Sequence, residues 1–283
     1  MPKQAPALTP RLIARYADHL REQERSASTI RKYTHDLHAL CAYLAGSPLT
    51  KTALIQWKQS LMSTHAPASV NSMLAAANGL LAFLGRRDLA VKPLRLQRSL
   101  FLDEHRELTR AEYVRLVQAA EARKDERLAL VLQSICATGI RVSELKFITV
   151  EAVARGRAEV SNKGKRRTVF LPDGLRRLLR RYIRAQKKTA GPVFTTRTGR
   201  PLDRSNIWRD MKSLCESAGV EPDKVFPHNL RHLFARTFYS ARRDLARLAD
   251  ILGHSSVNTT RIYTAESGHT HARLLERLQL IVT

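Results

Sequence analysis

The sequence has few cysteines, half as many acidic as basic residues, and no long apolar run. Its three cysteines, Cys41, Cys136 and Cys215, lie far apart and form no Cys-x-x-Cys pair, which excludes a disulfide framework and favours a reducing compartment. No uninterrupted apolar run is long enough to cross a bilayer, and the opening MPKQAPALTP lacks the apolar core of a signal peptide. We therefore expect a soluble, cytoplasmic protein.

The surplus of basic residues points to a polyanionic partner. Lys and Arg total 49 and Asp and Glu total 25, which gives a net charge of +24 over 283 residues. Nucleic acid is the commonest polyanion that a globular protein of this charge binds. A membrane surface is the weaker alternative, because it would require a lipidation signal or an amphipathic anchor and the sequence shows no such motif.

The length and the hydrophobic pattern predict two domains joined by a linker. Apolar residues repeat at three- and four-residue steps through residues 1–85, which predicts a helical bundle. Residues 86–107 have no steady period and are rich in basic side chains, so we assign them to a linker. The capping box TRAE, with Thr109 and Glu112, then opens a second domain over residues 108–283.

The second domain is expected to be mainly helical with one β-hairpin. Two strand-like runs, Arg157–Ser161 and Thr168–Leu171, flank a basic turn that contains glycine. The predicted fold class is therefore mainly α with a small β-hairpin or sheet.

Four short stretches of the second domain could carry chemistry. In ATGIRVSEL, Arg141 lies at a helix start, which favours anions, although an ordinary surface arginine would look the same. In NKGKRR, Lys163 and Lys165 flank Gly164, so this turn could approach a phosphate backbone or serve only solubility. In LGHSSVNTTRIYT, Tyr263 could be core, or a nucleophile if positive charge lowers the cost of its phenolate.

The stretch PHNLRHLFA allows two kinds of site. His228 and Arg231 are three residues apart and share one helix face, where together they could serve a phosphate. His228 and His232 are four apart, which is the spacing of a zinc-metalloprotease helix. That motif needs a glutamate after the first histidine, whereas Asn229 stands there, and Arg231 between the two histidines would repel a cation. A histidine with only a structural role is the remaining alternative.

In this order and spacing, the four stretches resemble the tyrosine recombinase family, the phage-integrase and Xer-type enzymes. The resemblance implies a two-domain DNA clamp, in which a helical core-binding domain accompanies an α+β catalytic domain. It also implies site-specific DNA recombination through a 3′-phosphotyrosine intermediate, without metal, ATP or cofactor. By match of motif, the catalytic residues would be Arg141, Lys163, His228, Arg231, His254 and Tyr263.

The family resemblance also implies a role for each residue. Tyr263 would be the nucleophile, and Arg141 and Arg231 would clamp the scissile phosphate. Lys163 would be the general acid, His228 would manage the tyrosine proton, and His254 would hydrogen-bond the phosphate. Glu144 would support the site, and Lys165, Arg166 and Arg167 would contact DNA. The hairpin turn is one residue shorter than the Xer-type pattern, which leaves Lys165 as an alternative general acid.

The expected partner is a double-stranded recombination site held by four protomers, either identical or mixed with a related recombinase. The apolar tail, about residues 266–283, would pack on a neighbouring protomer or fold onto its own domain. The protein would be nucleoid-associated in the cytoplasm. The alternatives within the same fold are a type IB topoisomerase and a DNA-binding protein without catalysis.

Overall fold

The computed structural model describes residues 7–96, 104–162, 165–254 and 256–263, together with Glu276. The chain divides into two compact units, residues 1–98 and residues 99–283. No helix of the described ranges is both long enough and apolar enough to span a membrane.

The first unit is a bundle of four helices. Thr9, Ser26 and Thr50 each precede a helix, and each side chain accepts a hydrogen bond from a backbone N–H of the first turn. Apolar side chains from all four helices form one core. The helices are α1 (Pro10–Glu22), α2 (Ala27–Leu44), α3 (Lys51–Thr64) and α4 (Pro67–Phe83).

The first unit extends beyond the predicted boundary at residue 85. A short 3-10 helix, Arg87–Leu89, follows α4, and Val91 is buried in the bundle core. The side chain of Asn78 bonds both backbone groups of Val91, and that of Asn71 does the same for Leu94. The first part of the predicted linker is therefore packed on the helices, because two asparagines of α4 pair with its backbone.

The second unit is mainly helical with a two-stranded sheet, as the sequence predicts. The capping box of Thr109 and Glu112 is present at the start of its first long helix. The helices are α5 (Arg110–Ala122), α6 (Glu126–Thr138), α7 (Val150–Arg155), α8 (Asp173–Ala185), α9 (Arg204–Lys212), α10 (Cys215–Ala218), α11 (Pro227–Arg242), α12 (Leu245–Leu252) and α13 (Val257–Thr260). Short 3-10 helices cover Glu104–Arg106, Val142–Phe147, Pro222–Lys224 and Arg261–Tyr263.

The hairpin pairs β1 (Arg157–Asn162) with β2 (Lys165–Phe170) in antiparallel register, from Arg157 opposite Phe170 to Asn162 opposite Lys165. The second strand therefore begins three residues before the predicted Thr168 and ends before Leu171. Lys165, Arg166 and Arg167 are predicted to lie in the turn, but they belong to β2 and pair with β1. Lys163 and Gly164 lie outside the described residues.

The core of the second unit places the ends of several elements near one another. Helix α11 packs along α6, and α12 contacts both α11 and β2. A smaller apolar cluster joins α11 and α12 to Tyr263 through Ala235, Leu248 and Leu252. The candidate residues of the four stretches come from these ends.

Candidate active site

Arg231 lies at the centre of the site and is almost fully buried, with 1% of its surface exposed. Its Nη1 donates to the carbonyl of Gly139, and its Nη2 donates to the carbonyl of Leu252 at 2.7 Å. These carbonyls end α6 and α12, where the helix dipole is negative. Burial, followed by the charge of Arg141, lowers the pKa of Arg231 to about 10, so the guanidinium remains charged at neutral pH.

A second arginine, Arg141, is tied to the buried carboxylate of Glu144. The Arg141 backbone N–H donates to Glu144 Oε2 at 2.9 Å, and its Nη1 donates to Oε1 at 3.1 Å. Arg167 approaches the same carboxylate with both terminal nitrogens, at 3.0 and 2.8 Å. Burial raises the pKa of Glu144, but the bonds from Arg167 and Arg141 outweigh it and lower that pKa to about 2.

The end of α12 requires a glycine because arginine side chains approach it closely. Gly253 has φ +63°, and a Cβ atom added there would lie 2.6 Å from Cδ of Arg167. Arg167 Nε donates to the carbonyl of Ile251 at 3.2 Å, and Arg141 Nη2 lies 3.4 Å from the carbonyl of Gly253. The glycine thus lets the arginine pair and α12 pack together.

Tyr263 is buried, with 4% of its surface exposed, in the 3-10 helix Arg261–Tyr263. Its ring lies nearly parallel to that of His254, with centroids 6.0 Å apart, and perpendicular to that of His232, with centroids 4.9 Å apart. Burial raises the pKa of Tyr263, while the charges of Arg231 and Arg141 act in the opposite direction. The guanidiniums therefore favour the phenolate that a nucleophile requires.

Two histidines complete the site. His254 Nε2 is 3.2 Å from Arg231 Nη2, and its Nδ1 is 2.8 Å from the hydroxyl of Thr260. Desolvation, followed by the charges of Arg231 and Arg141, lowers the pKa of His254 to about 4. Desolvation, followed by His232 and then the charges of Arg231 and Arg141, lowers the pKa of His228 to about 4. His228 is exposed, and its ring centroid lies 4.5 Å from that of His232. The rings of His254 and His228 are both neutral near pH 7, and neutral rings can accept or relay protons.

Six predicted site residues are brought together, and the others are placed differently. Arg167 is predicted to contact DNA, whereas in this structure its side chain is only 13% exposed and both terminal nitrogens pair with Glu144. Arg166 is exposed on the same strand. Lys163 lies outside the described residues, and Lys165 is described only through its backbone. The residues that meet are Arg141, Glu144, His228, Arg231, His254 and Tyr263.

The sequence reasoning missed the part that Asn229 and His232 play. Asn229 is buried, and its amide donates to the carbonyls of Arg106 and Lys224, both at 2.8 Å. His232 faces Glu107, with 3.4 Å between Nδ1 and Oε1. Within the described ranges, no three His, Cys, Asp or Glu side chains form a cluster that could hold a metal ion. The four-residue step from His228 to His232 is the signal in the sequence, and it indicates that both side chains lie on one face of α11.

Comparison with known proteins identifies the family of the chain. The family model described as the phage integrase family matches residues 106–269, and the N-terminal SAM-like domain of phage integrases matches residues 13–88. The chain is 32% identical to tyrosine recombinase XerD of Xanthomonas campestris, over 89% of this chain and 86% of that protein. It is 26% identical to tyrosine recombinase XerA of Pyrococcus furiosus, over 95% of this chain and 94% of that protein.

The fold has close structural neighbours as well. The Tn1549 transposon integrase in complex with transposon right-end DNA has a TM-score of 0.74 at 18% identity, over 96% of this chain and 99% of that one. The family match and the named relatives define an enzyme that recombines DNA through a tyrosine. The chain belongs to the phage integrase family, and it is a site-specific tyrosine recombinase. The relatives do not favour a type IB topoisomerase or a DNA-binding protein without catalysis.

Proposed function

We propose that Tyr263 is the nucleophile of this recombinase. Its phenolic oxygen attacks the scissile phosphodiester, forms a 3′-phosphotyrosine bond and breaks the bond to the 5′-oxygen. The phenol loses its proton, and the departing 5′-oxygen gains one. A 5′-hydroxyl of the partner strand then reverses the exchange, so neither ATP nor a metal is required. One observation carries this proposal, namely the burial of Tyr263 between two histidine rings beside Arg231.

Arg141 and Arg231 are proposed to hold the scissile phosphate. Each lowers the pKa of His228 and of His254, and Arg141 lowers that of Arg231, so positive charge is concentrated in a small volume. A bound phosphate would relieve this repulsion and would accept hydrogen bonds from the donors that remain. Removing one such donor typically slows the chemical step roughly 100- to 1000-fold.

The remaining residues are proposed to transfer protons or to support the site. Lys163 is proposed as the general acid for the 5′-oxygen, with Lys165 as the alternative, because both flank Gly164 in the sequence. His228 is proposed to accept or return the proton of the Tyr263 phenol, and His254 is proposed to hydrogen-bond the phosphate. Glu144 supports the site by fixing Arg141 and Arg167 in place.

The proposed assembly is a tetramer of identical or related protomers on two double-stranded recombination sites. The Tn1549 integrase is in complex with transposon right-end DNA and lambda integrase is bound to a core site in their solved structures, which supports a DNA duplex as the partner. The exposed Arg166 and the neighbouring Lys165 are proposed to contact DNA. Apart from Glu276, the tail, about residues 266–283, lies outside the described residues, and we propose that it packs on a neighbouring protomer. We also propose that the assembly acts in the nucleoid.

A covalent trapping assay tests the nucleophile. Duplexes from the DNA flanking the gene are nicked near the presumed cleavage point, so that a short strand is lost after attack. We expect a protein–DNA adduct on a denaturing gel with chelator present, and none with Tyr263→Phe. Tyr239→Phe is the matched control, because Tyr239 packs on the same apolar cluster and should keep the adduct. An adduct that persists in Tyr263→Phe, or tight binding without any adduct, would contradict the proposal.

A further inference from the structure

The segment that precedes α5 is fixed against α11 on both sides of Glu107. The buried amide of Asn229 donates to the carbonyl of Arg106 at 2.8 Å. Arg236 Nη2 donates to the carbonyl of Leu108 at 2.7 Å. Two side chains of α11, seven positions apart, thus clamp the backbone on either side of one glutamate. This places the carboxylate of Glu107 over the face of α11 that lies between them.

The Glu107 carboxylate bridges two side chains of that face. Its Oε1 lies 3.4 Å from His232 Nδ1, and its Oε2 lies 3.2 Å from Arg236 Nη2. The side chain of Glu107 is only 13% exposed. Burial raises the pKa of Glu107, but the His232 hydrogen bond and the charges of Arg236 and His232 outweigh it and lower that pKa. The carboxylate is therefore ionised near neutral pH, and its Oε1 can accept a hydrogen bond from the N–H at Nδ1 of His232.

His232 connects this carboxylate to the proposed nucleophile. Its ring meets that of Tyr263 at 83°, with centroids 4.9 Å apart. Its Nε2 is buried and has no hydrogen-bond partner among the described residues. A carboxylate at Nδ1 orients an imidazole and selects its tautomer, which leaves Nε2 unprotonated when the ring is neutral. His254 lies against the parallel face of Tyr263, so the tyrosine ring is confined from two directions.

We infer that Glu107 and His232 form a positioning pair that holds the Tyr263 ring in its attacking orientation. This inference rests on the proposed role of Tyr263 and adds two residues to it. His232 acts by contact with the nucleophile, and Glu107 acts through His232. His228 is exposed, and its ring also contacts that of His232, with centroids 4.5 Å apart.

The pair is tested by single-turnover cleavage of the nicked duplexes at saturating DNA, in the full-length protein. His232→Ala should lower the cleavage rate about 10- to 100-fold, because displacements near 1 Å of a reacting group have effects of this size. Glu107→Gln should produce a smaller loss. DNA affinity, measured by anisotropy on an intact duplex, should remain within twofold of wild type for both variants.

A double-mutant cycle separates a positioning pair from two independent structural residues. If Glu107 acts through His232, then adding Glu107→Gln to His232→Ala should have little further effect on the rate. Glu121→Gln is the matched control, because Glu121 is exposed on α5 and should leave the rate unchanged. If His232→Ala does not fold, as judged by thermal melting, His232→Gln provides the measurement, since it retains an amide donor for Glu107.

The outcomes distinguish this inference from the proposed function. Wild-type rates in the His232 and Glu107 variants, with Tyr263→Phe inactive, would overturn the positioning pair alone. Equal losses from Glu107→Gln with and without His232→Ala would overturn it as well. An adduct retained in Tyr263→Phe would instead overturn the nucleophile assignment.

Discussion

At the scale of single residues, Arg231 shows that one side chain can serve packing and chemistry together. Its guanidinium is buried because the carbonyl ends of two helices accept its protons, and those bonds also hold α6 and α12 in place. A buried charge is tolerated only with such partners. The same charge keeps His254 neutral and favours the phenolate of Tyr263. Replacing Arg231 with a neutral residue should therefore lower both the stability of the fold and the rate of catalysis.

The buried carboxylate of Glu144 should make stability depend on acid pH. Its folded pKa of about 2 lies below the ordinary value of 4.5, so its contribution is complete above pH 4.5 and is lost as pH falls toward 2. A depression of this size corresponds to roughly 3 kcal/mol. At pH 7 we expect Glu144→Gln to have a lower free energy of unfolding than wild type. Near pH 2 this difference in unfolding free energy should shrink by about that amount.

Urea denaturation followed by circular dichroism at a series of pH values measures that difference. Glu121→Gln serves again as the control, because this exposed glutamate should give the wild-type pH dependence. A gap between wild type and Glu144→Gln that stays constant from pH 7 to pH 2.5 would show that the carboxylate is not held ionised by Arg167 and Arg141.

At the scale of secondary-structure elements, the sequence predicted periodic features well and tertiary contacts poorly. The helical bundle, the capping box of Thr109 and the hairpin follow from local spacing, and all three are present. Arg167 looked like a surface residue because it follows Lys165 and Arg166, whereas its partner Glu144 lies 23 residues earlier. Glu107 and His232 are 125 residues apart, and no local pattern relates two positions at that distance.

The turn after α12 offers a test of close packing at the site. Gly253 (φ +63°) and Gly219 (φ +58°) end helices in nearly the same left-handed conformation. A Cβ atom at Gly219 meets nothing within 4 Å, whereas one at Gly253 meets Arg167. Both alanine variants should lose about 1–2 kcal/mol from backbone strain. Only Gly253→Ala should also slow DNA cleavage, by at least about 10-fold, because it displaces Arg167 and the Arg141 contact.

Chemical denaturation measures the free energy of unfolding of Gly253→Ala and Gly219→Ala, and single-turnover assays measure their rates of DNA cleavage. Equal losses of stability together with wild-type cleavage in both would show that the packing of Arg167 on Gly253 does not matter for the reaction.

At the scale of the whole molecule, positive charge is a property of both units. Each unit has more Lys and Arg than Asp and Glu, so the net charge of +24 is not confined to the catalytic half. Phosphate contacts are expected to supply much of the affinity and little of the sequence preference. The composition alone predicts the net positive charge. Only the structure shows that Arg166 is exposed whereas the side chain of Arg167 is 13% exposed and paired with Glu144.

The different exposure of Arg166 and Arg167 leads to a prediction about how DNA binding by the full-length protein depends on salt. If it contacts 6 to 10 phosphates, its affinity for duplex DNA should fall roughly 10³- to 10⁵-fold between 50 and 200 mM salt. Arg166→Ala should reduce the slope of log affinity against log salt by about 1, because it removes an exposed cation that we propose contacts DNA. Arg167→Ala should leave the slope unchanged and lower the free energy of unfolding instead, because the Arg167 guanidinium is paired with Glu144. Fluorescence anisotropy with the Tyr263→Phe variant as background measures binding without cleavage. A slope that changes with Arg167→Ala and not with Arg166→Ala would mean that DNA binding releases Arg167 from Glu144 and recruits it to the phosphate backbone.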